Sequence, residues 1–169
     1  MKELKVTPME LYFLGVQMQA EYIDYSYIAA MPDVQQRYAL HEQETLEYLE
    51  ERGLIEEDFS GNVEVDEEAA ELLAPVFWGT VEGRVDADEG RRCNIHVRGD
   101  RMTAAILDKD EIYFYEADDQ AIRKMLTGSF VTVSCSKIGG GIREKRFSKE
   151  ELRKKASVEE ALHIVKGDY

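Results

Sequence analysis

Cys93-Asn94-Ile95-His96-Val97-Arg98-Gly99-Asp100-Arg101-Met102-Thr103-Ala104-Ala105-Ile106 is the stretch on which the reading of the fold turns. Cys93, Ile95 and Val97 alternate with Asn94, His96 and Arg98, the period of two that gives each face of a strand its own set of side chains. His96 is expected on the polar outward face. Gly99-Asp100 is a two-residue hairpin signal, after which Met102, Ala104 and Ile106 resume the alternation. Upstream, Phe77, Gly79, Val81, Gly83 and Val85 keep the same period, with Trp78 opposite them and residues 86–90 as a turn. Downstream, a turn at 108–110 leads into Ile112, Tyr113, Phe114 and Tyr115. Four such segments with tight connections predict an antiparallel meander.

Helices flank the meander. Thr7, Pro8 and Glu10 form a capping box with proline at the first helical position, ahead of Leu11, Leu14 and Met18. Residues 22–31 are either helix or loop, with helix the favoured reading, up to the Met31-Pro32 break. Residues 33–52 are read as a long helix, with Asp33 as N-cap, Gly53 as the left-handed residue after its end, and Leu54 placed to touch Leu49. Residues 61–65 suggest a short edge strand or turn. Asp66 caps a further helix, which Pro75 is expected to end near Ala74. Beyond the meander, Asp118 caps a helix carrying Ile122, Met125 and Leu126, closed by Gly128, and Val131, Val133 and Cys135 form a fifth strand. Gly139-Gly140-Gly141 reads as a flexible break. Ser148 to Glu151 and Ser157 to Glu160 are two capping boxes of a helical tail. The expected fold is α+β: N-terminal helices, an antiparallel β-meander covered mainly on one face, a helix, a fifth strand and a C-terminal helical tail. The expected organisation is an α+β domain over 1–137, then a Gly-rich break and basic tail over 138–169.

The net charge is −14. Such a surface repels the phosphate backbone, so nucleic acid is not an expected partner. Residues 1–5 lack the apolar core of a signal peptide, and no run approaches the ~18 apolar residues of a membrane span. The expectation is a cytoplasmic protein without membrane insertion. Cys93 and Cys135 have no metal-ligand spacing; they are small buried hydrophobes or a disulfide. His41, His96 and His163 fall on three different elements, and no P-loop or nucleophile elbow is present. No catalytic residue, metal or cofactor is therefore expected, and the chain is read as a non-enzyme that works through its surfaces.

Four stretches occur in a telling order: Thr7-Pro8-Met9-Glu10-Leu11, then residues 46–55 ending Arg52-Gly53-Leu54-Ile55, then Gly61-Asn62-Val63-Glu64-Val65-Asp66, then Leu72-Leu73-Ala74-Pro75 ahead of the meander. Over roughly residues 7–126 this order resembles the EspG family, chaperones associated with ESX (type VII) secretion. The resemblance implies a cytosolic, non-enzymatic chaperone that binds a helical secretion substrate through a sheet-edge loop and a C-terminal helical bundle. It also implies a fold of two related halves. The match reaches only the first half and a tail, which raises the expectation of a homodimer.

The candidate protein-binding residues are Trp78, Arg98, Asp100, Arg101, Arg143, Lys145 and Arg146. Arg98, Asp100 and Arg101 sit at an exposed hairpin tip. Trp78 is either buried under a helix or an exposed anchor. Arg143, Lys145 and Arg146 open the basic tail, which faces either a partner or the chain's own acidic helix. Two other functions compete: an immunity protein neutralising a toxin domain, and a winged-helix transcription regulator, which the acidic charge disfavours.

Overall fold

The computed structural model describes residues 3–29, 31, 33–126 and 131–168. Pro32 and Gly128, read above as helix stops, lie outside them. The chain forms β1 (Glu3–Val6), α1 (Pro8–Gln17), α2 (Tyr25–Ile28), α3 (Val34–Glu51), β2 (Ile55–Glu57), β3 (Val63–Val65), α4 (Glu67–Trp78), β4 (Val81–Ala87), β5 (Arg92–Arg98), β6 (Arg101–Asp108), β7 (Glu111–Ala117), α5 (Asp119–Leu126), β8 (Val131–Lys137), β9 (Gly141–Phe147) and α6 (Lys155–Lys166). The fold is α+β. Seven strands make one antiparallel sheet in the order β1-β7-β6-β5-β4-β8-β9, and β2 and β3 pair separately.

Local signals place the helix ends. The Thr7 side chain accepts from Glu10 N while Glu10 Oε1 accepts from Thr7 N, completing the capping box. At the end of α3, Leu54 N donates to Leu49 O and Gly53 N to Glu50 O, with Gly53 at φ +72°, a Schellman stop. Two motifs far apart in sequence then meet: Arg52 Nη1 donates to Glu10 Oε2 at 2.7 Å and Nη2 to Lys5 O at 2.5 Å. The end of α3 is thereby tied to the start of α1 and to β1.

Several expectations are corrected. Asp33 precedes α3 in a left-handed conformation and makes no side-chain cap. Within 22–31 only the single turn α2 is helical among the described residues. Pro75 lies inside α4, which runs on to Trp78. An internal proline costs about 3 kcal/mol. Full burial of Val76 and Phe77 beyond it, at about 1.5–3 kcal/mol each, offsets that cost. Gly139 and Gly140 lie in the hairpin connection between β8 and β9 and Gly141 opens β9, so 141–147 is a sheet strand and not part of a helical tail. The Ser148–Glu151 box forms, on a short 3₁₀ turn (Glu151–Arg153). Ser157 lies within α6 and caps nothing.

The sheet is covered on both faces, not mainly on one. Leu4, Val6, Ala105, Ile112 and Phe114 pack with α1, α3 and α4 in one core. Val85, Ile95, Val97, Ala104, Val133 and Cys135 pack with α5 and α6 in the other. Gly83 lets α6 approach: a Cβ there would stand 2.2 Å from Val165 O. Neither cysteine is in a disulfide, and both are buried.

Candidate functional site

Register sets up the site. One row of directly opposed residues crosses all seven strands: Leu4, Phe114, Ala105, Asn94, Arg84, Ser134 and Glu144. The first four are buried, Arg84 and Ser134 are half-buried, and Glu144 is exposed. The adjacent row on the same face runs Glu116, Thr103, His96, Glu82, Ser136 and Ile142. His96 and Thr103 are buried, Ser136 is exposed, and Ile142 is 79% exposed. Among the described residues, the helical layer of α1 and α4 therefore stops at β5. Past it, β4, β8 and β9 present a polar shelf, bounded outside by the edge strand β9. Seven residues of strand span about 23 Å and three strands about 14 Å. A helix is about 10 Å across, so one fits on the shelf.

Residues 22–28 cross the boundary between covered and open sheet, and a buried polar network fastens them. Tyr27 Oη lies 2.5 Å from His96 Nε2, Asn94 Nδ2 donates to Tyr27 Oη at 3.2 Å, and the Tyr27 ring packs edge-on to Phe114 at 5.6 Å. With Asn94 donating to the phenol oxygen, the phenol proton is directed at His96 Nε2, which assigns the ring proton to Nδ1. Among the described residues, His96 Nδ1 and Asn94 Oδ1 are buried without a hydrogen-bond partner. His96 is thus a core residue and not part of an outward polar face. Alternation indicated that it shares a face with Asn94, but not which face is covered.

Beside this network Asp24 is hydrogen-bonded to Glu82, and Ser26 N and Oγ donate to Asp24 Oδ1 at 2.8 and 2.6 Å. Burial first, then the hydrogen bond and charge of Asp24, push the Glu82 carboxyl up to about 8, with Arg84 opposing. Burial also raises Asp24, but its bonds to Glu82 and Ser26 outweigh this and leave it below its ordinary value. At neutral pH the pair holds one proton, on Glu82. Burial lowers His96 to about 4 against the pull of Asp24, so the ring is neutral. Burial raises Tyr27 well above its ordinary range. The group offers a neutral carboxyl at the inner wall of the shelf, and the one ionised member, Asp24, is held by Glu82 and Ser26. Among the described residues no cluster of His, Cys, Asp and Glu suits a metal ion.

The expected binding residues separate into two places. Trp78, at the end of α4 and not on a strand, is half-buried, edge-on to Phe77, with the Arg98 guanidinium 5.5 Å from its ring centre. Arg101 pairs with Glu71 at 3.5 Å, and Asp100 is exposed in the turn between β5 and β6. These residues gather at one end of the sheet. Arg143, Lys145 and Arg146 lie on β9 but not on one face. Register puts Arg143 and Lys145 on the α6 side, where Lys145 Nζ meets Glu160 at 2.7 Å, whereas Arg146 lies on the shelf side, 3.6 Å from Asp88. Sequence reasoning missed Tyr27, Asp24 and Glu82, because their convergence depends on a loop folding over strands some 55–70 residues away. Five aromatic or aliphatic positions, Tyr22, Ile23, Tyr25, Tyr27 and Ile28, around an Asp-x-Ser turn were the only signal.

No helix among the described residues is long and apolar enough to cross a membrane. No protein-family model matches the chain, and no curated protein matches its sequence.

Proposed function

We propose that this protein is a non-enzymatic adaptor that holds a helical segment of another protein on the open shelf of β4, β8 and β9. One observation carries the reading. Among the described residues, the face that α1 and α4 cover over β1, β7, β6 and β5 has no helical layer over the remaining three strands, where Ile142 is 79% exposed. A partner helix there continues a layer the chain has already half built. The lining of Arg84, Ser134, Ser136, Glu144 and Arg146 gives a polar, reversible contact. The protonated Glu82 adds a hydrogen-bonding group at its inner wall. The resemblance to EspG proteins names the cargo class: a helical substrate of a type VII (ESX) secretion system, handled in the cytoplasm.

Photo-crosslinking in the native cells tests this. A photoreactive residue at Ile142 is expected to trap a helical secretion substrate, identified by mass spectrometry, while one at Lys5 on the opposite edge traps none. Equal trapping from both positions, or none from Ile142, refutes the shelf as the binding surface. A toxin enzyme domain trapped at Ile142 replaces the chaperone reading with the immunity reading.

A further inference from the structure

The polar network beneath residues 22–28 leaves two of its own atoms unmatched. Among the described residues, His96 Nδ1 and Asn94 Oδ1 are buried and bond to nothing, not even to each other. Each belongs to a side chain whose other polar atom is already committed to Tyr27 Oη, His96 Nε2 at 2.5 Å and Asn94 Nδ2 at 3.2 Å. The two atoms are opposite in kind. With the ring proton on Nδ1, His96 presents a donor and Asn94 an acceptor. Folded proteins leave few such groups unpaired, because a buried polar atom that has given up bulk solvent needs a replacement bond.

The position is enclosed: Tyr27 is 1% exposed, His96 0% and Asn94 6%. A ligand that satisfies both atoms must be small, must accept from the ring N–H and must donate to the amide oxygen. A metal ion or an ammonium cannot accept from the ring, and a halide cannot donate to the amide. Water does both. The reach also fits. Residues 94 and 96 share one face of β5, about 6.6 Å apart along the strand, and both side chains converge on Tyr27. One water with hydrogen bonds of about 2.8 Å on each side spans up to about 5.6 Å.

We propose that a single structural water is bound between His96 and Asn94, accepting from Nδ1–H and donating to Oδ1. Burial lowers His96 to about 4, so at pH 7 the ring is neutral and keeps one N–H for this bond. The water completes the fastening of residues 22–28 to β5, and those residues separate it from bulk solvent. The site stands whether or not the shelf holds a partner helix.

Two measurements on the intact protein test the proposal. A high-resolution crystal structure is expected to show one water within about 3.2 Å of both His96 Nδ1 and Asn94 Oδ1. Imidazole nitrogen shifts at pH 7 are expected to give the Nδ1–H tautomer for His96, with a nuclear Overhauser effect from that proton to a bound water. Asn94→Leu removes the acceptor, and is expected to abolish the water cross-peak while Tyr27 still holds His96 in the same tautomer. If that variant does not fold, the two wild-type measurements decide the matter alone. Density empty of water between the two atoms, a protein oxygen bonded to Nδ1, an Nε2–H ring, or a cross-peak that survives in Asn94→Leu overturns the proposal. None of these results bears on partner binding at the shelf, which is read by crosslinking at Ile142.

Discussion

Glu82→Gln isolates the proton shared between Glu82 and Asp24. The amide keeps the shape of the carboxyl and still donates to Asp24, but it never ionises. In the wild type the Glu82 carboxyl moves from its ordinary 4.5 to about 8, mainly by burial and then by Asp24. Between those values the folded state holds the proton and the unfolded chain has lost it, so stability falls as pH rises. At about 1.4 kcal/mol per pH unit the whole displacement corresponds to roughly 5 kcal/mol. Glu82 is only half-buried, and solvent screening leaves about 2 kcal/mol of that. The stabilisation is therefore fully present below pH 4.5, declines through the range 4.5 to 8, and is gone above it. Urea unfolding of both proteins at pH 4.5 and pH 9 reads the effect. Glu82→Gln is expected to match the wild type at pH 4.5 and to exceed it by about 2 kcal/mol at pH 9. A difference that is the same at both pH values, or that shrinks as pH rises, refutes the shared-proton description of the Asp24–Glu82 pair.

The neighbouring groups give further tests. His96 titrates at about 4 in the folded state against 6.5 ordinarily, so the unfolded chain takes up the proton first as pH falls. That removes about 3 kcal/mol between pH 6.5 and 4, and His96→Gln is expected to flatten this acid limb of the stability curve. Tyr27→Phe leaves His96 Nε2 and Asn94 Nδ2 without their phenol partner and is expected to cost about 1–3 kcal/mol by chemical denaturation. Gly83→Ala sets a methyl 2.2 Å from Val165 O, so α6 must move off β4; a loss of about 3 kcal/mol and faster amide exchange along α6 are expected. An unchanged melting temperature in that variant means α6 does not rest on β4.

Sequence alone determined what is encoded within a few residues. The capping box of Thr7 and Glu10, the Gly53 stop, the Asp66 and Asp118 caps and the hairpin at Gly99-Asp100 all stand where local hydrogen-bond chemistry put them. Alternation likewise located β5 through β8 and β4 from Val81, because one buried face is enough to impose the period of two, but Phe77 and Gly79, read into the same run, are the end and C-cap of α4. Tertiary structure decided the rest. β1 is a strand only because β7 pairs with it across more than 100 residues, and β9 only because β8 does. Proline signalled a helix end at 75, but the burial of Val76 and Phe77 outweighs the cost of carrying the helix past it. Alternation showed that Asn94 and His96 share a face, yet only the packing of α4 and residues 22–28 made that face the inside over β5 and left it open over β8 and β9. Caps and turns are settled between near neighbours in the chain, whereas the covering of a sheet is settled by segments that meet only once the chain has folded.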